Sequence, residues 1–136
     1  MRLLFYGECM KKILVSMMCV LSLQLGLAEN VQHLQSPENY HEMIQDQAIQ
    51  LVDVRTAEEF NAGTIGHAKN IDYLSSEFIE GLNVLNKDEP VYIFCRSGNR
   101  SQKARQIMLE HGFTQVYDLD GGYNAWTSWE TTKEQE

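Results

Sequence analysis

Residues 91–101 of the chain read VYIFCRSGNRS, and this stretch determines how the rest of the sequence is interpreted. Four apolar residues that favour β-structure, Val91–Phe94, lead directly into Cys95. A short loop with one glycine and two arginines follows, and a helical pattern begins at Ser101. The stretch therefore predicts a β-strand, a tight turn and the N-terminus of a helix, with a thiol at the point where they meet.

The loop after this strand is predicted to bind an anion. In such a turn successive backbone N–H groups converge on a small concavity, and the start of the helix adds partial positive charge. These groups, together with Arg96 and Arg100, favour the thiolate form of Cys95. Gly98 is expected to supply a backbone conformation with positive φ. The sequence thus indicates a site that holds a reactive sulfur anion.

The first 28 residues have the pattern of a secretory signal and are left out of the fold. Two lysines precede an apolar run over residues 13–27, which ends in small residues of the kind that a signal peptidase reads. Met10 would be the more usual start of such a segment. As a helix the run would span roughly 22 Å, less than the ~30 Å of a bilayer core. We therefore expect a cleaved signal, export to the periplasm without lasting membrane association, and one domain over residues 29–136. An uncleaved membrane anchor is the alternative.

The charge of the chain argues for a small anionic ligand. The full chain carries a net charge of −8, and removing the first 28 residues, which hold three basic residues and one acidic residue, makes this −10. A protein this acidic is not expected to bind nucleic acid or anionic membrane surfaces. Four of the eight remaining basic residues nevertheless lie within ten positions beside the cysteine: Arg96, Arg100, Lys103 and Arg105. For Lys103 and Arg105, a solvated helix face is the alternative interpretation.

Only one of the three cysteines belongs to the predicted mature domain, because Cys9 and Cys19 lie in the signal. A lone cysteine in an exported domain cannot form a disulfide within its own fold. Cys95 is therefore an inert buried thiol, a partner in an intermolecular disulfide, or a reactive centre. The glycine and the two arginines beside it favour the reactive centre. The four histidines show no metal-ligand spacing, and we expect neither a metal nor a cofactor.

The rest of the mature chain alternates between strand and helix patterns. Ser36 and Thr56 are predicted helix caps, Glu59 follows Thr56 at the spacing of a capping box, and Gly121-Gly122 is predicted as a turn. Strands are predicted at 49–54, 68–71, 91–94 and 115–117, and helices at 37–47, 56–60, 75–85, 101–110 and 123–129. In the helix over 75–85 the inward positions are Phe78, Ile79, Leu82 and Leu85. This alternation predicts a parallel α/β sheet with helices on both faces. Ligands bind beyond the carboxyl ends of the strands in such sheets, which is where Cys95 lies.

With these elements placed, residues 31–130 resemble the rhodanese (thiosulfate sulfurtransferase) family in its single-domain, exported form. Four segments carry the resemblance: 51–55 (LVDVR), 58–65 with its EEF and GTI motifs, the loop 95–100, and 112–126 with its GF, VY, GGY and AW motifs. The resemblance implies a single rhodanese-like domain whose central, mostly parallel sheet has five strands. The sequence departs from the family at Thr64, where a histidine is common, at Gly66-His67 in place of Pro-Gly, and at Asp72 in place of a proline.

The resemblance also implies a two-step transfer of sulfur. Cys95 would take the outer sulfur of thiosulfate or a similar donor as a persulfide. It would then pass this sulfur to a thiophilic acceptor such as cyanide, a small thiol or a protein thiol. Five loop residues would stabilise the negative charge through their backbone N–H groups: Arg96, Ser97, Gly98, Asn99 and Arg100.

Two pairs of charged residues receive separate roles. Arg100 is the first choice for contact with the sulfonate end of the donor, and Arg96 is the second. A structural pair with a carboxylate is the alternative for Arg100. Asp53 and Arg55 are expected to support the framework, with Asp53 at a strand end and Arg55 in a buried or half-buried ion pair.

Three other functions remain open at this point. A phosphatase or arsenate reductase could use the same cradle, but the loop 95–100 has six residues, whereas phosphatases on this fold have one more. A non-catalytic binding module is disfavoured by the intact cysteine and arginines. A carrier of persulfide or thiol groups for another exported protein shares the chemistry and differs only in its acceptor.

Overall fold

The chain forms a five-stranded sheet in which each strand is parallel to its neighbours. The computed structural model describes residues 33–46 and 48–135, so the predicted signal and Gln47 lie outside the described residues. The strands are β1 (Leu34–Gln35), β2 (Gln50–Asp53), β3 (Lys69–Asn70), β4 (Val91–Phe94) and β5 (Val116–Leu119). Their spatial order is β1-β5-β4-β2-β3. The predicted α/β fold with five parallel strands is confirmed.

Five α-helices accompany the strands in the described part of the chain. They are α1 (Pro37–Met43), α2 (Ala57–Ala62), α3 (Phe78–Gly81), α4 (Asn99–Glu110) and α5 (Gly122–Lys133). The Ser36 hydroxyl caps α1 by accepting from the Asn39 N–H at 3.3 Å. Thr56 and Glu59 form a reciprocal capping box at the start of α2. Among the described residues, no helix has the length and hydropathy needed to span a membrane.

The sheet lies between two helical layers, so the four residues of its central strand β4 are buried. On one face an apolar cluster joins the strands to α3 and α4 and includes Ile93 and Met108. On the other face a second cluster joins them to α1 and α5 and includes Tyr40, Phe94 and Trp126. Each large apolar side chain buried in this way contributes about 1.5–3 kcal/mol. The carboxyl end of β4 is thereby held rigidly at the middle of the domain.

The predicted helix over 75–85 is wrong in its extent. A turn closed by the Phe78 N–H and the Ser75 carbonyl at 3.2 Å delays the helix, and α3 is followed by a 3-10 turn over Leu82–Val84. With so short a helix the inward positions are occupied by Phe78 and Leu82. Ile79, predicted to face inward, is 42 % exposed, whereas Leu85 is buried as expected.

Other boundaries differ because tertiary pairing extends or creates elements. The two-residue strand β1 was not predicted, since so short a segment has no period of its own and forms only by pairing with β5. Strand β5 continues through Asp118 and Leu119, which pair with β1. Helix α5 runs four residues beyond Trp129, whereas α1 ends at Met43.

Candidate active site

Cys95 lies immediately after β4, at the carboxyl end of the central strand, as the sequence predicts for the nucleophile. Its side chain belongs to the apolar cluster under α4, and the residue is 1 % exposed. The thiol sulfur accepts a hydrogen bond from the Gly98 N–H at 3.1 Å. A donor in this position stabilises negative charge on the sulfur. The thiol is therefore buried beside the loop that follows it, with one N–H group of this loop directed at its sulfur.

The loop that follows Cys95 presents unpaired backbone donors. Gly98 has φ +102°, a left-handed conformation that few other residues adopt, and α4 begins at the next residue. No side chain caps α4, so its first N–H groups remain available. Four loop N–H groups have no acceptor within the described residues, those of Arg96, Ser97, Asn99 and Arg100. Such a set of donors at a helix start is suited to an anion.

The N-terminus of α5 holds the loop from the other side. The N–H groups of Tyr123 and Asn124 donate to the carbonyl oxygens of Cys95 at 2.8 Å and Arg96 at 3.0 Å. The described chain contains no cis peptide bond. In a trans peptide the N–H points away from the carbonyl, so the N–H groups of Arg96 and Ser97 point away from α5. The first turn of α5 therefore orients the peptide units of the loop.

The two loop arginines lie in different surroundings, and these do not favour Arg100 over Arg96 as the contact for the donor. Arg100, the first choice for the donor, forms a bidentate ion pair with Glu59, with N···O distances of 2.7 and 2.8 Å. This is the carboxylate pair that the sequence left as the alternative. Arg96 is exposed and forms no ion pair within the described part of the chain. Of the two loop arginines, Arg96 is therefore the one whose guanidinium has no carboxylate partner among the described residues.

Asp53 and Arg55 form a buried ion pair at the end of β2. The Arg55 Nε lies 2.9 Å from Asp53 Oδ1, and its Nη2 lies 2.6 Å from Oδ2. The same Nη2 donates to the Gly63 carbonyl at 2.6 Å, and the Thr64 hydroxyl donates to Asp53. The guanidinium also lies 4.0 Å from the ring centre of Tyr123, in the first turn of α5. The pair therefore ties β2 to the helix that holds the loop.

A comparison with protein families agrees with this geometry. The sequence profile described as the rhodanese-like domain matches residues 36–128, which is about two thirds of the chain. The protein belongs to this family. The matched range includes β2, the loop after Cys95 and the first turn of α5, so the elements that form the site of this rhodanese all lie within the family match.

Individual relatives lead to the same family. The chain is 37 % identical over 91 residues to a thiosulfate sulfurtransferase GlpE of Pseudomonas putida, covering 66 % of this chain and 80 % of that one. It is 35 % identical over 85 residues to the GlpE of Shewanella oneidensis, covering 62 % and 82 %. Among solved structures it resembles a rhodanese-related protein of Thermoplasma volcanium, with a TM-score of 0.63, 28 % identity and coverage of 71 % and 92 %.

One departure from the common rhodanese pattern has a structural account. At position 64, where a histidine is common, this rhodanese has a threonine whose hydroxyl donates to Asp53 Oδ2 at 2.8 Å. The shorter side chain thus supplies a hydrogen bond to the buried carboxylate.

Three residues of the site were not assigned to it from the sequence. Glu59 was assigned only to a helix cap, and nothing in its spacing indicates a partner 41 positions away. Gly122 was interpreted as a turn residue, although its close contact with Cys95 follows only from the fold. Asp118, a single acid in the largely buried strand β5, was outside the predicted strand; an acid between apolar residues of a strand is the signal that would have revealed it.

The ion pair between Glu59 and Arg100 predicts a pH-dependent contribution to the stability of this rhodanese. The hydrogen bonds from Arg100, with smaller help from Thr56, lower the pKa of Glu59 from 4.5 to about 2. The pair therefore stabilises the fold fully above about pH 5 and loses this effect as the pH falls towards 2. Because the two side chains are 20 % and 27 % exposed, we expect about 1–2 kcal/mol for Glu59→Gln at pH 7.

Denaturant unfolding at pH 7 and pH 3 measures this effect. Glutamine can retain the capping box, so Glu59→Gln should destabilise the protein at pH 7 and much less at pH 3. The exposed Glu58, changed to glutamine in the same helix turn, is the matched control and should alter neither value by more than about 0.5 kcal/mol. An equal loss at both pH values for Glu59→Gln would contradict the assignment.

Proposed function

We propose that Cys95 carries sulfur as a persulfide between a thiosulfate-like donor and a thiophilic acceptor. The protein is a sulfurtransferase of the rhodanese family, and its enzyme class is that of its thiosulfate sulfurtransferase relatives. The persulfide proposal is supported above all by the Cys95 sulfur, which is buried within a loop of unpaired backbone N–H groups. Such a loop can accommodate one more anionic atom beyond the thiol.

In the first step the Cys95 thiolate attacks the outer sulfur of the donor. The new bond joins Sγ to this sulfur, and the bond between the two donor sulfurs breaks with its electron pair leaving on sulfite. The charge is conserved: the thiolate and thiosulfate together carry three negative charges, and the products carry three, one on the persulfide and two on sulfite. Because sulfite leaves as an anion, no general acid is needed, which agrees with a loop that offers donors and no titratable acid.

In the second step a nucleophilic acceptor attacks the terminal sulfur of the persulfide. The bond between this sulfur and Sγ breaks, and its electron pair restores the Cys95 thiolate, which again accepts from the Gly98 N–H. This order of steps gives ping-pong kinetics. The acceptor is a thiol, cyanide or a protein thiol, since each is a soft nucleophile.

Arg96 is the residue that we assign to the oxyanion end of the donor. It adjoins the thiol, is exposed, and has no carboxylate partner among the described residues. Arg100 could reach the donor only while sharing its guanidinium with Glu59. Its direct contact with the donor stays a prediction.

Export is a further part of the proposal. It is supported by two lysines followed by an apolar run over residues 13–27 and by small residues at its end. The mature protein would then work in the periplasm, on sulfur compounds of that compartment. Its cysteine would be the single thiol of the mature domain.

Intact mass spectrometry tests the persulfide directly. A variant with both Cys9 and Cys19 replaced by serine keeps Cys95 as its only thiol. After incubation with thiosulfate and removal of small molecules, we expect a mass gain of ~32 Da, one sulfur atom, which cyanide then removes.

The same variant alkylated with iodoacetamide beforehand is the control and should gain no sulfur. Absence of the adduct in a variant that alkylates readily would refute thiosulfate as the donor. Hydrolysis of a phosphate ester by the unalkylated protein would support the phosphatase alternative instead.

A further inference from the structure

Asp118 is a buried carboxyl group that the sulfur-transfer steps do not use. It lies in β5, between β1 and β4, and is 0 % exposed. Neither carboxyl oxygen has a hydrogen-bond partner within the described part of the chain. Burial of the charged form is unfavourable and raises the pKa of Asp118 to about 7. The group can therefore gain or lose a proton near neutral pH.

The carboxyl group lies on the same face of the sheet as Cys95. Asp118 pairs with Ile93 in the register of β4 and β5, and Cys95 follows Ile93 by two residues in the direction of β4. Side chains two residues apart share a face, which places the Cα atoms of Asp118 and Cys95 roughly 8 Å apart. Helix α4 covers this face.

Ser101 connects the carboxyl group to the loop. It is the third residue of α4, is 0 % exposed, and its hydroxyl donates to the Gly98 carbonyl at 3.2 Å. The same hydroxyl opposes the rise in the pKa of Asp118, as does the Leu119 N–H, although neither forms a hydrogen bond of good geometry with the carboxyl group. A serine hydroxyl has one hydrogen to donate and can accept as well. It can therefore serve either the carboxyl group or the loop as a donor.

We infer that Asp118 is a positioning residue for sulfur loading on Cys95, that it acts through Ser101, and that its protonated form is the active one. The inference rests on the proposed persulfide function. When protonated, Asp118 donates to the Ser101 oxygen, and Ser101 continues to donate to Gly98. When ionised, Asp118 draws the Ser101 hydrogen to itself, and the Gly98 carbonyl loses this donor.

Both consequences of ionisation oppose the persulfide. The Gly98 carbonyl and the Asn99 N–H belong to one peptide unit, so losing the donor from Ser101 makes the Asn99 N–H a weaker donor to an anion. The carboxylate also adds a negative charge beneath the loop in a region of low dielectric. Loading should therefore slow as Asp118 ionises.

Other charged and titratable groups around Asp118 are placed on several elements. Arg105 of α4 favours the ionised carboxyl and Asp120, after β5, opposes it. Tyr40 of α1, from the other face, has a pKa raised well above its ordinary value, by burial first and by Asp118 second. His33 lies next to β1 and accepts from the Asp118 N–H through its carbonyl at 2.7 Å. Arg105 and Asp120 shift the midpoint of the Asp118 titration, while the direction of its effect on the loop stays the same.

The test is the single-turnover rate of sulfur loading from thiosulfate, measured by acid quench and mass, between pH 5.5 and 8.5. Dividing the Asp118→Asn rate by the wild-type rate removes the pH dependence that the two proteins share. We expect this ratio to be close to one at pH 5.5 and to rise by about three- to tenfold at pH 8.5. A ratio that stays constant with pH would show a merely structural role and overturn the inference.

Asp88→Asn is the matched control, since it removes the same charge from an exposed position that is not among the groups acting on Asp118. Its ratio to wild type should not change with pH; a rise equal to that of Asp118→Asn would assign the effect to net charge and overturn the inference. When Ser101 is first replaced by alanine, the rise of this ratio between pH 5.5 and pH 8.5 on changing Asp118 to asparagine should be smaller. If neither the wild-type protein nor a variant loads sulfur at any pH, the proposed function fails, which is distinguishable from a loaded protein with a flat ratio.

A second readout uses the wild-type protein and no variant. If ionised Asp118 opposes the persulfide, linkage requires the persulfide to raise the pKa of Asp118. The ¹³C chemical shift of the Asp118 carboxyl group, followed against pH, should show a higher midpoint in the sulfur-loaded protein than in the free protein. Equal midpoints would contradict the coupling.

Discussion

Replacing Cys95 with serine is expected to lower the turnover of thiosulfate with cyanide by at least about a thousandfold. A serine hydroxyl stays protonated at neutral pH and is a poor nucleophile towards sulfur, so the first step has no attacking group. The serine oxygen can still accept from the Gly98 N–H that now contacts the thiol. The free energy of unfolding should therefore change by only about 1 kcal/mol. Steady-state release of thiocyanate and denaturant unfolding measure the two quantities.

The control is the same chemical change at the other two cysteines. Cys9→Ser with Cys19→Ser should leave turnover within about twofold of wild type, because both residues lie in the predicted signal. Turnover by Cys95→Ser at a tenth or more of the wild-type rate would show that sulfur is carried elsewhere.

Replacing Gly122 with alanine is expected to disturb the loop and the fold together. Gly122 has φ +61°, and a Cβ there would lie 2.5 Å from the Cys95 carbonyl oxygen and 2.7 Å from the Arg96 carbonyl carbon. Both contacts are with backbone, so the loop and α5 must move apart. We expect a loss of about 2–4 kcal/mol in the free energy of unfolding from overpacking and the left-handed conformation. Displacement of the loop should lower turnover by about a hundredfold.

Gly112→Ala separates the two causes. Gly112 also has a positive φ, +92°, but a Cβ there would meet only the Lys87 side chain, at 3.8 Å. This variant should lose about 1–2 kcal/mol through its backbone conformation alone and keep its turnover. If Gly122→Ala keeps full turnover as well, the contact between α5 and the loop does not position the thiol.

The sequence predicted those parts of the fold that depend on local patterns. The apolar run before Cys95 predicts β4 with its observed boundaries, and Thr56 with Glu59 predicts the capping box of α2. The formation of β4 and of this capping box depends on residues that are close to one another along the chain. The central position of Cys95 follows from the rule that parallel strands present their carboxyl ends together.

What could not be predicted depends on contacts between distant segments. Strand β1 exists because β5 pairs with it, and Ile79 is exposed because α3 is cut short by a turn. In the candidate site, the guanidinium of Arg100 pairs with Glu59, a residue of α2 that lies 41 positions earlier in the chain. A sequence pattern shows that arginine is next to the cysteine and leaves open which anion it pairs with.

The contacts between α5 and the loop also bear on how the protein is made. The carbonyl groups of Cys95 and Arg96 are held by N–H groups of Tyr123 and Asn124, which lie 28 residues later in the chain. Since a ribosome releases the N-terminal part first, β4 and its cysteine emerge before the segment that holds the loop exists. The thiol therefore acquires its anion-binding surroundings only after residues 122–124 have also been made, and a nascent chain that stops before them lacks a competent site.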